Sequence, residues 1–334
     1  MRFGLFLPSA QFPGRDHGSV LRDTVAAACA AEAAGFDDVW LAEHHFMSYG
    51  VCPSATTLAG YVLGATSRIH VGTAVSVLST QHPVALAEQA ALLSLVSGGR
   101  FRLGVGRGGP WVDLEVFGTG LDRYADGFAE SLDLLLAWLD GDRVSWSGKA
   151  FQFREVPVVP HAVPPPPVAV ACTSPQTESL AAERGLPMLL GMHIGDAEKA
   201  AAVRRYAAIA RAPAPHIATG VAYVADTRAE AVDMLCRELP RWLGPGLAGY
   251  VPVDDRSPPR RDPDAYARLL CDLHPVGTVD DCVTSILRTA ETTGIDHLIF
   301  LAEGAGSPAR TLQNIARLGA EVLPLTRRQL PSGR

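Results

Sequence analysis

Short, wholly apolar runs alternate with amphipathic stretches along this chain. The runs "RFGLFLP", "DDVWLAE", "IHVGTAVSVL", "FRLGVG", "PVAVACT", "PMLLGM", "HIATGVAYVAD" and "DHLIFLAEG" give eight candidate strands. Continuous rather than alternating apolar character suits parallel strands buried on both faces. Helix signals fill the gaps. Ser19 is placed to cap a helix ending at Gly35, and Thr278 with Asp281 has the spacing of a capping box for one ending at Gly294. Ser307 followed by Pro308 supplies a cap and first turn for the last helix.

Eight strand–helix repeats predict an α/β fold, a (β/α)8 TIM barrel, although a doubly wound sheet with reversed strand order shares the pattern. The barrel is expected as a single domain over residues 1–325, followed by a polar C-terminal tail at 326–334. Two insertions interrupt the repeat. After strand four, residues 143–166 hold "RVSWSGKAFQF", a candidate hairpin, and then a proline-rich stiff connection. After strand seven, residues 239–276 are expected to form a lid over the strand ends, with a disordered segment as the other reading. In such a barrel, chemistry collects at the carboxyl ends of the strands.

Composition narrows the function classes. With 334 residues, 48% of them hydrophobic, the chain can bury one barrel-sized core. A net charge of −6 argues against nucleic acid and anionic membranes as partners. No apolar run reaches the roughly eighteen residues of a membrane span, and "MRFGLFLP" is too short for a signal peptide, so a cytoplasmic protein is expected. The six cysteines are scattered without metal-type spacing, as befits reduced thiols. Lysine occurs only at Lys149 and Lys199, an arginine bias typical of GC-rich genomes.

Two stretches carry candidate chemistry. "GRFRLGVGRGGPW", residues 99–111, contains a G-x-G-x-x-G in Gly104, Gly106 and Gly109. A dinucleotide fingerprint needs a helix to start at its glycines, but a helical pattern begins only near Asp122, and the motif falls in the fourth strand. What remains is Arg107 at a strand end, placed either to grip a phosphate or to sit in a surface ion pair. The second strand ends in Glu43, His44 and His45. Adjacent side chains on a strand point opposite ways, so one histidine faces the barrel mouth and the other the helical layer. That disfavours a metal site, and no metal is expected. A histidine at this position suits acid–base work, or is a structural histidine bonded to backbone.

The segments "MRFGLFLPS", "AGFDDVWLAEHHF", "LGATSRIHVGTAVSVLSTQHPV", "SGGRFRLGVGRG", "VFGTG", "GLPMLL", "HPVGTVDDCV" and "TGIDHLI" run in one order along the chain. In them the sequence resembles the luciferase-like flavin-dependent monooxygenases, and among these the catalytic α subunit of bacterial luciferase. The β subunit lacks both the paired histidines and the arginine after strand four, which this chain has.

The resemblance implies a (β/α)8 barrel that takes reduced FMN from a separate flavin reductase. Oxygen then adds to the flavin, and the peroxide so formed oxidises a small organic substrate. It makes His44 the catalytic histidine, with Glu43 and His45 behind it. It makes Arg107 the phosphate ligand, joined by Thr173, Ser174 and Thr177 of "CTSPQT", and places Ala171 and Met192 at the cofactor too. It puts a cis peptide at Ala74–Val75 beneath the flavin ring. It also implies a homodimer through the helices after strands two and three.

Departures from luciferase are Thr173 for a glutamate, Gly106 for a reactive cysteine, and Met192 for a tryptophan. Trp111 is displaced from the matching aromatic. Gly106 is expected to leave added space near the reacting carbon. The altered pocket suggests a natural-product, polyketide-type tailoring step. The alternatives are an F420-dependent hydride transfer on the same barrel and a flavin-binding protein without turnover.

Overall fold

The computed structural model describes residues 1–254 and 261–329. Eight parallel strands run along the chain: β1 (Arg2–Leu7), β2 (Asp38–Leu41), β3 (His70–Thr73), β4 (Phe101–Gly106), β5 (Val168–Cys172), β6 (Met188–Leu190), β7 (Ile217–Val221) and β8 (His297–Leu301). They pair in the order β3-β2-β1-β8-β7-β6-β5-β4, and β4 returns to pair with β3, which closes the sheet. The closed barrel, ringed by helices, is the (β/α)8 TIM fold.

The surrounding helices are α1 (His17–Ala33), α2 (Ala55–Ala65), α3 (Pro83–Val96), α4 (Gly127–Asp140), α5 (Pro175–Glu183), α6 (Asp196–Ala207), α7 (Arg228–Ala248), α8 (Pro263–Leu273), α9 (Val279–Thr293), α10 (Pro308–Arg317) and α11 (Leu323–Gln329). Three apolar clusters follow from this plan. Trp40, Ala169, Leu189, Ile217 and Ile299 fill the barrel interior. A larger shell packs strands against helices. A third cluster, including Phe12, Tyr49, Met192 and Trp242, gathers beyond the carboxyl ends of the strands.

At the opposite, amino end, Asp38 is fully buried. Its carboxylate accepts hydrogen bonds from Arg2 Nη2 (2.8 Å), Trp40 Nε1 (2.7 Å) and His297 Nε2 (3.0 Å). Burial alone would push this carboxyl up, but His297 and Arg2 outweigh it and hold the pKa below its ordinary value. The network ties β1, β2 and β8 together where barrels keep stabilising rather than catalytic groups.

Several boundaries differ from the sequence expectations. Helix α1 is capped by Asp16, whose carboxylate accepts from Ser19 N, so Ser19 lies inside the first turn. A carboxylate at the cap also interacts favourably with the helix dipole. The Thr278–Asp281 capping box and the Ser307 cap form as expected. Residues 69–78 do not make one strand: β3 stops at Thr73 and pairing resumes at Ser76–Val77. Residues 216–226 likewise split, with Tyr223–Val224 leaving the barrel to pair with Val276–Gly277.

The chain between β4 and α4 already holds two short helices, Asp113–Val116 and Gly120–Ala125, so helix precedes Asp122. The hairpin forms from Arg143–Ser147 and Gln152–Pro157, and cis bonds precede Pro160 and Pro164 in the connection after it. The expected lid is largely helical. Residues 239–248 belong to α7, which carries Pro240 and Pro245, and 263–273 form α8, while 255–260 lie outside the described residues. The expected polar tail begins inside α11, where Thr326 is buried and bonds to Val322 O; residues 330–334 lie outside the described residues.

Candidate active site

The carboxyl ends of β2 to β5 bring most of the expected site residues to one rim. Beneath the rim, the Ala74–Val75 peptide is cis, as the resemblance implied. Gly106 ends β4 beside it. A Cβ built at Gly106 would lie 2.5 Å from Val75 Cγ2 and 3.5 Å from Ala171 Cβ. Ala74, Val75, Gly106 and Ala171 therefore make one continuous apolar floor. The added space expected at Gly106 is not there, because Val75 occupies it.

Arg107 follows directly. Its carbonyl accepts from Ser79 Oγ (2.6 Å), and its guanidinium lies over the Tyr124 ring at 4.3 Å. Among the described residues no carboxylate pairs with it, so the surface ion pair considered from sequence is absent. The parallel register Val105–Val170 puts Arg107 level with Cys172, one residue before the loop that opens α5. There Ser174 caps the helix, and Thr177 Oγ1 accepts from both Thr173 N and Ser174 N at 3.2 Å. Thr177 is buried and committed to this loop, so it shapes the site rather than reaching into it. Thr173 is exposed. An arginine unpaired among the described residues, on a strand whose neighbour leads directly into a helix N-terminus, suits a dianionic phosphate, and the residues present fit a flat, phosphate-bearing cofactor.

β2 stops at Leu41, so the strand end expected at Glu43, His44 and His45 is not formed; the two histidines, in the segment after it, nonetheless diverge. His45 packs edge-on against Phe117 (4.9 Å between centroids) and lies 3.4 Å from Glu43 Oε1. Glu43, buried, also accepts from Val77 N (3.1 Å) and Ala55 N (3.4 Å). It thus fastens the end of β2 to the segment after β3 and to α2; its bonds go to these groups and not to His44. His44 turns the other way, its ring 5.0 Å from that of Tyr49. Its Nδ1 is buried against the backbone of Gly50 and has no hydrogen-bond partner. Burial, with His45 nearby, pushes its pKa down to about 4. The ring is neutral near pH 7 and can accept a proton before it can give one.

Beside His44 stands an aromatic wall that the sequence reading did not foresee. Trp242 Nε1 donates to Tyr49 O (2.9 Å), and the Tyr49 ring lies 4.7 Å from Trp242 and 5.8 Å from Tyr250. Tyr250 meets Trp111 at 5.2 Å. Trp111 folds back over Gly109, where any Cβ would strike its indole, which explains that glycine without a nucleotide. Segments 110–112 and 251–253 pair across the mouth through Val112 N to Val251 O and Val253 N to Pro110 O. Met192 does not join the floor. It is buried in the cluster of Tyr49 and Trp242, with its carbonyl accepting from His274 Nε2 (2.6 Å). Among the described residues, no group of three His, Cys, Asp or Glu side chains could hold a metal ion.

Comparison with known proteins agrees with the fold. The family described as luciferase-like monooxygenase matches residues 1–297. The alkanal monooxygenase alpha chain of the Kryptophanaron alfredi symbiont is 30% identical, covering 97% of this chain and 98% of its own. Among solved structures, monooxygenase RslO1 from Streptomyces bottropensis superposes with a TM-score of 0.85 at 22% identity, covering 97% of this chain and 99% of its own. The oxygenating constituent of 3,6-diketocamphane monooxygenase from Pseudomonas putida, solved with FMN, gives 0.77 at 21%, covering 97% and 98%. An F420-dependent secondary alcohol dehydrogenase gives 0.76 at 18%, covering 98% and 99%.

Proposed function

Because the chain belongs to the luciferase-like monooxygenase family and is an oxidoreductase, we propose that it is the oxygenating half of a two-component system. It takes reduced FMN from a separate flavin reductase and uses O2 to oxidise a small organic substrate. The observation that supports this reading is Arg107, unpaired among the described residues and level with Cys172 at the end of the strand that leads into α5.

Arg107, Thr173 and the α5 N-terminus, with Ser174 and Thr177 setting the loop, would hold the phosphate. Ala74, Val75, Gly106 and Ala171 would support the ring system from below. Bound there, reduced FMN supplies the electrons that activate O2. The chain's own part is positional and protonic. His44 Nδ1 is walled off, which leaves Nε2 to accept a proton at the reacting centre. Glu43 holds the β2 end that carries His44. Tyr49, Trp111, Tyr250 and the strap over the mouth keep water out and offer an apolar, aromatic surface to the substrate. That surface suits the substrate of a natural-product tailoring step.

The remaining parts of the reading concern assembly and place. Tyr61 on α2 and Leu92, Leu95 and Val96 on α3 are exposed, which supports a homodimer through these helices. No described helix is long and apolar enough to cross a membrane, and the protein is proposed to work in the cytoplasm.

A second reading, F420-dependent hydride transfer, is favoured only by the fold shared with the alcohol dehydrogenase. Anaerobic equilibrium dialysis against reduced FMN and reduced F420 separates the two. Retention of FMN supports the oxygenase reading, and retention of F420 alone overturns it.

A further inference from the structure

The loop after β2, residues 46–52, folds back along the ring of His44 and lies between it and the C-terminal half of α7. Backbone bonds pin the loop: His44 N donates to Cys52 O (2.9 Å), Val51 N to Ser9 O (3.1 Å) and Gln11 N to Ser48 O (3.3 Å). Trp242 of α7 holds it from the other side through Tyr49 O (2.9 Å).

Two glycines carry the closest approaches. A Cβ built at Gly50 would lie 2.6 Å from His44 Nδ1 and 3.3 Å from His44 Cγ, and would also strike Pro8 O. A Cβ at Gly246 of α7 would lie 3.0 Å from Tyr49 Cα and 3.1 Å from Tyr49 Cδ2. Neither glycine has a positive φ, so space rather than backbone conformation calls for glycine at both. Gly244, two residues earlier on α7, meets only Pro263 Cγ, at 4.0 Å.

We propose that Gly50, backed by Gly246 through Tyr49, is a positioning residue that seats the His44 ring, shutting off Nδ1 and leaving Nε2 for the reacting centre. The inference rests on the reading of His44 as the acid–base group. A side chain at residue 50 must move either the Pro8 carbonyl or the imidazole. Pro8 follows β1 directly, and its neighbour Ser9 is bonded to the loop itself, so the imidazole is the part that turns. Gly246 acts one layer further out, because the Tyr49 ring it supports lies 5.0 Å from that of His44.

Turned from its seat, the ring gains water. Burial, with His45 nearby, holds its pKa down, so exposure lets the value rise toward the ordinary 6.5. The loop's other titratable groups, Tyr49 and Cys52, are pushed up by burial and stay neutral, and Pro8, Gly246 and Trp242 carry no charge.

Proton NMR of the imidazole signals through a pH titration tests this on the full-length chain, the His44 signal being the one missing from His44→Asn. The native signal is expected to titrate at about pH 4. Gly50→Ala should raise that midpoint by about one unit or more. Gly246→Ala, the milder change, should move it the same way by less, and Gly244→Ala should match the native chain. A His44 signal unmoved in Gly50→Ala and Gly246→Ala would overturn the proposal. Reoxidation of bound reduced FMN in oxygenated buffer separates this from the reading beneath it. The same altered rate in Gly50→Ala and His44→Asn supports both. A moved His44 signal with native reoxidation rates in both variants would leave the seat standing and overturn the acid–base role of His44.

Discussion

Gly106 and Val75 share one volume: a Cβ on the first would lie 2.5 Å from Cγ2 of the second. The floor of the site is therefore filled from the third strand's side, and a side chain at residue 106 must displace it. Gly106→Cys is expected to cost about 1–3 kcal/mol of stability and to weaken reduced-FMN binding. Val75→Ala in the same chain should restore most of both. Thermal unfolding and anaerobic flavin titration of the single and double variants check this.

His44→Asn should leave reduced-FMN binding in place and lower turnover by about 10²–10⁴-fold. As its pKa lies at about 4, the proton-accepting form is present throughout the neutral range. The pH profile of kcat/KM should stay flat above about pH 6 and fall only as pH approaches that value. A profile breaking near pH 7 would assign the proton step to another group.

Acid should destabilise the fold through its buried histidines. Burial pushes His216 down to about 4 and His274, with Lys199 adding to the effect, down to about 3. Both values lie below the ordinary 6.5, so between these limits the unfolded chain binds more protons than the folded one. Their contribution is whole above pH 6.5 and declines as pH falls through the window toward the folded values. At pH 5 the loss should be about 1–2 kcal/mol for each. Denaturant titrations at pH 7.5 and 5 measure it, and His216→Gln should remove part of the difference.

Asp38→Asn at the opposite end of the barrel serves as the structural counterpart. It leaves His297 and Arg2 facing a neutral group inside the amino end. A loss of about 3–5 kcal/mol in stability is expected, with flavin affinity in the surviving folded protein unchanged. Chemical denaturation and flavin titration on one preparation distinguish the two effects.

What could be read from sequence tracks the range of the interactions involved. The eight strands were legible because parallel strands buried on both faces must be continuously apolar. The capping box of Thr278 and Asp281 was legible because both partners lie within one turn. Ser19 was misplaced because Asp16, three residues earlier, is an equally good cap and carries charge. The run 69–78 looked unbroken because composition does not register the turn of the chain at Ala74–Val75.

The divergence of the histidines was expected from a strand that in fact stops at Leu41, and the partners of Glu43 were not legible, since Val77 and Ala55 come from other elements. The aromatic wall was least legible. Tyr49 and Trp242 are 193 residues apart, and only tertiary packing brings them together. The 239–276 segment looked like a loop because Pro240 and Pro245 normally interrupt helices; its Trp242 and Leu243, fully buried, hold the helix in place despite them.

The central claim is that Arg107 grips the phosphate of reduced FMN. Anaerobic titration of the native chain and of Arg107→Gln with reduced FMN and with reduced riboflavin, which lacks the phosphate, tests it most directly. The account predicts that the substitution weakens FMN by about 10–100-fold and leaves riboflavin unchanged, so that the two ligands become nearly equal on the variant. Equal losses for both flavins, or no loss for FMN, would contradict it.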